Sequence, residues 1–296
     1  MANTPLTELA CYAAPSRRIF VKHEYLGPTG SVKDRMVERV LACATNEGDL
    51  RTGMEIVEAS SGNTGAALAR AGSRLGFNVR IFVASSVATE KIQTIKSFGA
   101  EVHEVDIEQG QVSEVQCAAN YAHETGGYLF NQFGNRHHVD AYKETLGAEI
   151  LSQLESEKII IEHFVGGVGS GGSVRAVGEL LRERHNESLK VWATVPAVYP
   201  SDIEGLNPGH LRNEGHFKIW LDRSPDFETG LIEVNDEDAF REILSLKNAA
   251  GIYVGPASGS CLHVARQLSG NILIVLTDTG LKYSTKISAW LRNLSV

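Results

Sequence analysis

The chain has 296 residues with 43% hydrophobic and 22% charged content, and its net charge is −8. That length and balance suit a soluble globular protein of one large or two modest domains. The acidic charge and the lack of long basic or apolar runs argue against a nucleic-acid binder or a membrane-spanning chain, and no secretory signal opens the sequence.

In chain order, short apolar runs alternate with helical patterns. A strand is predicted over 18–24, then a helix over 34–48, where Met36, Val37, Val40, Leu41 and Ala44 have helical spacing. Strands follow over 54–58, 79–84, 101–105 and 128–130. Helices are expected over 63–76, 89–99, 112–125 and 140–154. The apolar run 159–165 reads as a buried strand before a helix over 172–185. Beyond it come strands over 190–195, 252–254 and 271–277, and helices over 236–250, 260–268 and 283–294. Repeated strand–helix alternation predicts parallel-rich sheets flanked by helices. The stretch 196–230, rich in Pro, Gly and charge, reads as a long loop. Cys11, Cys43, Cys117 and Cys261 are scattered, which suggests reduced thiols in a cytoplasmic protein. His137 and His138 read as solvated loop residues, and no metal site is expected.

Four glycine-rich segments carry chemistry. Gly169-Ser170-Gly171-Gly172-Ser173 falls where an apolar strand gives way to a helix. Converging N–H groups and the helix dipole there favour a phosphate, and the missing P-loop lysine argues against ATP or GTP. Lys33 lies near a helix start in Gly30-Ser31-Val32-Lys33-Asp34-Arg35; a desolvated lysine can form a Schiff base, although a lone lysine at a helix start is ordinarily solvated. Ser60-Ser61-Gly62-Asn63-Thr64 follows a strand and opens a helix, a turn suited to a carboxylate and also to plain N-capping. Gly255 to Ser260, containing Ser258, is a further turn at a strand's C-terminal end, where open α/β sheets receive ligands. The order and spacing of the set suggest a pyridoxal-phosphate (PLP) site.

Together the segments resemble the cysteine synthase and cystathionine β-synthase family, the β-substituting enzymes of PLP fold type II. The resemblance runs from Asn3-Thr4-Pro5-Leu6 to Thr277-Asp278-Thr279-Gly280. Ser31-Val32-Lys33-Asp34-Arg35 looks like the family's S-x-K-D-R, which implies that Lys33 holds PLP. Ser60 to Thr64 looks like the substrate-carboxylate loop, with Asn63 where the cofactor's 3′-oxygen is contacted. Gly169 to Ser173 looks like the phosphate loop, with Ser for both Thr. Gln132-Phe133 matches a pair whose glutamine helps bind the substrate carboxylate. Glu90-Lys91 through Phe98-Gly99-Ala100-Glu101 resembles the family's helix ending in L-G-A-E. Amino-acid dehydratases of the same fold fit less well, since they carry S-F-K-x-R and N-H where this chain has Val32 and Asn63-Thr64.

There are departures. Gly27-Pro28 replaces the family's Asn-Pro. Ala257 stands at the serine that faces the pyridine nitrogen, with Ser258 beside it. Val195 replaces a common Glu, and Arg212 to Lys218 replaces the family's G-I-G-x-G-F-x-P. The resemblance implies a tryptophan synthase β-like fold with two domains, 1–34 plus 141–296 binding the cofactor and 35–140 smaller and mobile. It implies β-replacement on O-acetylserine or O-phosphoserine through an aminoacrylate, in a homodimer without a haem-binding or C-terminal regulatory extension. The altered loop, with His210, Arg212, His216 and Lys218, reads either as a solvated charged loop or as a receiver for an anionic amino-acid nucleophile of the diaminopropionate-precursor type. A serine or threonine dehydratase and a non-catalytic PLP-binding protein are the other readings.

Overall fold

The structure is a computed structural model that describes residues 3–106, 113–206 and 229–294. The chain divides into two compact units, Met1–Val32 with Tyr142–Val296, and Lys33–Ala141.

The smaller unit opens with α1 (Lys33–Glu47), whose Met36, Val37, Val40, Leu41 and Ala44 are buried at helical spacing. Its sheet comprises β3 (Glu55–Ala59), β4 (Asn78–Ala84), β5 (Glu101–Val105) and β6 (Tyr128–Leu129). The strands are parallel in the order β5-β4-β3-β6. Helices α2 (Asn63–Arg74), α3 (Thr89–Ser97) and α4 (Glu114–Thr125) connect them. One core cluster joins Val57, Ala59 and Phe82 of the sheet to Ala118 and Ala122 of α4. On the other side α2 comes close to the sheet, because a Cβ on Gly72 would lie 2.3 Å from Val79 Cγ2. Helix α5 (His138–Tyr142) starts in this unit, whose last residue is Ala141.

The larger unit carries a six-stranded sheet in the order β1-β2-β10-β7-β8-β9. Its strands are β1 (Leu6–Glu8), β2 (Arg17–Lys22), β7 (His163–Gly167), β8 (Lys190–Pro196), β9 (Thr229–Val234) and β10 (Gly270–Val275). Among the described strands only β1 pairs antiparallel. The flanking helices are α6 (Ala148–Ser156), α7 (Gly172–Arg184), α8 (Asp236–Ala250), α9 (Pro256–Ala265) and α10 (Ser284–Leu294). Ile19, Val21, Val165, Ile272 and Ile274 form the sheet side of a core against Leu262, Val264 and Ala265 of α9. Among the described residues no helix is long and apolar enough to cross a membrane.

Several elements depart from the sequence expectation. The strand expected over 159–165 starts at His163 and runs through Gly167, because its partners β8 and β10 pair from His163 onward. The strand expected over 252–254 is one isolated bridge, Val254 to Thr279. The helix expected from Ser260 begins at Pro256, whose fixed φ suits a first helical turn. The helix expected over 140–154 is broken by a π turn at Lys143–Gly147. Within the predicted loop over 196–230, the chain enters strand β9 at Thr229; residues 207–228 lie outside the described set.

Candidate active site

In each sheet the strand order places one reversal of connection direction. In the smaller unit it falls between β3 and β6, and in the larger between β7 and β10. Loops at the C-terminal ends of such strand pairs form the usual ligand crevice of an open α/β sheet. The expected site residues divide between the units accordingly. Lys33, Ser60 to Thr64 and Gln132 lie in the smaller, and Gly169 to Ser173 and Ser258 in the larger.

After β3 the chain turns sharply into α2. Ser60 Oγ accepts from Gly65 N at 3.1 Å and Gly62 N at 3.4 Å. Gly62 is the N-cap and gives α2 no side-chain cap bond. Gly65 sits so tightly that a Cβ there would be 2.7 Å from Ser60 O. Ser60, Ser61 and Asn63 are half-buried, Thr64 is buried and Gly62 exposed. The turn therefore sets a helix start and two hydroxyls where an anion is favoured.

After β6 comes Gln132, and the two loops are joined directly. Thr64 Oγ1 donates to Gln132 Oε1 at 2.7 Å. Gln132 N donates to Glu58 Oε2 at 2.9 Å, and Glu58 Oε1 accepts from Ala59 N at 2.9 Å. Gln132 O accepts from His138 Nδ1 at 2.5 Å. Glu58 is buried, and desolvation pushes its carboxyl up to about 7 against the lowering effect of main-chain bonds from Gln132, Ala59 and Asn131. His138 is pushed down to about 3, first by burial and then by the charge of Lys33.

These two residues correct the sequence reading. His138 was expected to be a solvated loop residue but is fully buried, because it opens α5 with its ring turned onto the Gln132 carbonyl. His137 keeps partial exposure and reaches Glu47 Oε2 at 3.0 Å. Glu58 was read only as a strand residue. A carboxylate inside the run Ile56-Val57-Glu58-Ala59 was the available signal, since an acid is rarely buried without a purpose.

Lys33 is the first residue of α1 and is half-buried, between buried Val32 and buried Asp34 and Arg35.

In the larger unit β7 runs into Val168 and the glycine nest. Gly171, at φ +86°, caps α7 without a side-chain bond, and Gly172 N donates to buried Ser170 Oγ at 3.3 Å. A Cβ on Gly169 would lie 2.4 Å from Gly205 O, so only glycine lets the segment after β8 approach. Beyond β10, Thr277 N donates to Ser258 Oγ at 2.9 Å, and the two hydroxyls are 3.3 Å apart. Ser258 is fully buried in the first turn of α9. Its hydroxyl is thus committed in part to Thr277, a residue absent from the expected site. The loop cations His210, Arg212, His216 and Lys218 lie outside the described residues.

Each unit, taken by itself, carries groups of a kind that PLP calls for. A phosphate needs convergent N–H groups and hydroxyls at an uncapped helix start, which Gly169 to Ser173 and α7 provide. A covalent anchor needs a partly desolvated primary amine, and Lys33 is half-buried.

Comparison with known proteins gives the same identification. The family model described as "Pyridoxal-phosphate dependent enzyme" matches residues 1–278. A cysteine synthase of Aquifex aeolicus is 33% identical over 90% of this chain and 82% of its own length. An O-acetylserine dependent cystathionine β-synthase of Bacillus subtilis is 29% identical, covering 97% of this chain and 94% of its own. Among solved structures, an O-ureido-L-serine synthase superimposes with a TM-score of 0.84 at 26% identity, over 98% of this chain and 96% of its own.

Proposed function

The chain belongs to the family of pyridoxal-phosphate dependent enzymes, and from that membership we propose that it catalyses β-replacement on an O-activated serine, O-acetylserine first. The observation that carries this reading is the union of the Ser60–Thr64 turn with Gln132 through the Thr64 hydroxyl at 2.7 Å. That union assembles a carboxylate receptor at the switch point of the smaller sheet.

PLP is the cofactor, and when bound it supplies an electron sink for a carbanion at the Cα of an amino acid. Lys33 would anchor it covalently, Gly169 to Ser173 would hold its phosphate, and Asn63 would meet its ring oxygen. The residues themselves then divide the work. The α2 start, the loop hydroxyls and Gln132 hold the substrate carboxylate and orient the Cα–H bond. Lys33 Nζ takes the Cα proton and later returns it. The substrate's acetate leaves from Cβ, and a nucleophile adds there. The smaller unit, carrying the carboxylate loop, is the part proposed to move and exclude water. A homodimer is the proposed assembly and the cytoplasm the proposed location.

The nucleophile defines two readings. Sulfide follows from the cysteine synthases among the relatives. A larger nucleophile is favoured by the altered Arg212–Lys218 segment and by the structural match to an O-ureido-L-serine synthase.

The test is visible absorption of the PLP-loaded protein, titrated with O-acetylserine and then O-phosphoserine, followed by candidate nucleophiles with product analysis. A spectral change that one nucleophile reverses, yielding a β-substituted alanine, is the expected result. Keto-acid release without any added nucleophile would point to a dehydratase. Bound PLP that ignores both amino acids would count against β-replacement. Lys33→Ala is expected to abolish turnover, and sustained activity in that variant would remove Lys33 from the chemistry.

A further inference from the structure

We propose that Glu58 and His138 are positioning residues of the substrate-carboxylate subsite. They clamp the main chain of Gln132 so that its side-chain amide, turned by Thr64, offers its Nε2 protons to the substrate. The inference rests on the reading above that the Ser60–Thr64 turn and Gln132 receive an amino-acid carboxylate.

The clamp has three jaws from three elements. At the end of β3, Glu58 accepts Gln132 N at 2.9 Å and Ala59 N at 2.9 Å, with a further main-chain bond from Asn131. Above about pH 7 Glu58 is a carboxylate, an acceptor at both oxygens, so it satisfies convergent N–H groups that a carboxamide, with one donor end, cannot. At the start of α5, His138 Nδ1 lies 2.5 Å from Gln132 O. A carbonyl only accepts, so Nδ1 carries the proton. Burial and the charge of Lys33 keep the ring neutral, which leaves Nε2 unprotonated. In the first turn of α2, Thr64 Oγ1 donates to Gln132 Oε1 at 2.7 Å, which assigns the amide's oxygen to the protein and its NH2 to the ligand.

Asn131 has φ +52°, a left-handed conformation that asparagine adopts more readily than most non-glycine residues, and the bonds around it fix the loop in that form. Asn135 Nδ2 adds a bond to Phe130 O at 2.7 Å, which ties the loop start down from its far side. A glutamine on an unclamped loop would sample many orientations, and binding would carry the cost of ordering it. Glu58 and His138 remove that cost before the substrate arrives.

The test uses the PLP-loaded protein and four variants, His138→Leu, His138→Asn, Glu58→Gln and Thr64→Val. For each, three quantities are read: cofactor affinity by visible absorption, the O-acetylserine concentration giving half the spectral change, and the KM and kcat of turnover. His138→Leu and Glu58→Gln are expected to raise the half-saturating concentration and KM about tenfold, the equivalent of one lost hydrogen bond. Cofactor affinity and kcat are expected to stay within about threefold of the parent, less than the 1.4 kcal/mol of a tenfold change. His138→Asn, whose side-chain NH2 can donate to the same carbonyl, is expected to recover most of the loss. Thr64→Val, which leaves the amide unturned, is expected to raise KM as His138→Leu does.

A purely structural role would lower cofactor affinity, kcat and KM performance together and would not be rescued by Asn, and that pattern would overturn the inference. Variants that fold, bind PLP and keep the parent KM would also overturn it, while leaving β-replacement standing. A parent protein that binds PLP yet ignores both activated serines would instead remove the β-replacement reading and the inference with it.

Discussion

Glu58 and His138 grip the same residue but respond to pH in opposite senses. Burial raises the Glu58 carboxyl from 4.5 to about 7, so between those values the folded state holds a proton that the unfolded state has lost. Its contribution to stability therefore falls as pH rises through that window. Burial lowers His138 from 6.5 to about 3, so between those values the unfolded state holds the extra proton. Its contribution therefore falls as pH drops through that window. The two effects offset each other where the windows overlap. Glu58→Gln should uncover the histidine alone, so that stability climbs more steeply with pH from acid to neutral. The difference from the parent should change by roughly 3 kcal/mol across the Glu58 window. His138→Asn should do the reverse, with stability declining toward neutral pH. Urea unfolding at several pH values checks both, and curves that run parallel to the parent's would show that neither group titrates as the structure implies. Legibility at this scale followed chemistry. Lys33, Asn63, Thr64 and Gln132 were named because their motifs are local. Glu58 and His138 were not, because burial and bonds to a residue 74 and 6 positions away depend on how β3, β6 and α5 come together.

At the scale of elements, the two glycines in the turn from β3 into α2 differ sharply in how closely they are packed. A Cβ on Gly65 would meet Ser60 O at 2.7 Å and Ile95 Cδ1 at 3.2 Å, whereas one on Gly62 would meet nothing within 4 Å. Gly65→Ala must therefore push α2 away from the strand end. It should cost about 1–3 kcal/mol, as overpacking does, and should also weaken amino-acid binding. Gly62→Ala should leave the thermal midpoint nearly unchanged. Equal midpoints for the two variants would mean that the turn relaxes freely. Most elements were legible as alternating apolar runs and helical spacings, and α8 and β5 have the predicted limits. The misplaced ones share a cause. Ile159 to Glu162 look like strand but lie before the register that β8 and β10 impose on β7, and Gly166 and Gly167, poor strand formers, are recruited by that pairing. The sequence pattern puts Ser258 in a turn, whereas the helix begins at Pro256, and the bond from Thr277 N to Ser258 depends on that earlier start.

At the scale of the whole molecule, the larger unit is assembled from two distant chain segments, 1–32 and 142–296, and a buried ionic network joins them. Lys22 Nζ on β2 is fully buried. It donates to Thr4 O at 2.6 Å, to Gln153 Oε1 at 2.7 Å and to Glu149 Oε1. Lys22→Met would leave Glu149 without its lysine in a poorly hydrated site, and should cost about 3–5 kcal/mol, a fall in Tm of about 10 °C. Adding Glu149→Leu to Lys22→Met should recover most of that loss, since two apolar groups can replace a buried pair. A double variant no more stable than the single one would show that the network contributes more than its charge pairing.

The family, the cofactor and the parallel α/β class were determined by the sequence alone, because each rests on short-range patterns. A lysine motif, a glycine nest and the 3.6- and 2-residue periodicities survive in a linear string. The tertiary structure alone decided which strands border the switch points, that β3 and β6 bring Thr64 and Gln132 into contact, and that Glu58 and His138 hold that contact from within. Those outcomes depend on strand order and burial, which arise from long-range packing of apolar faces and have no local signature.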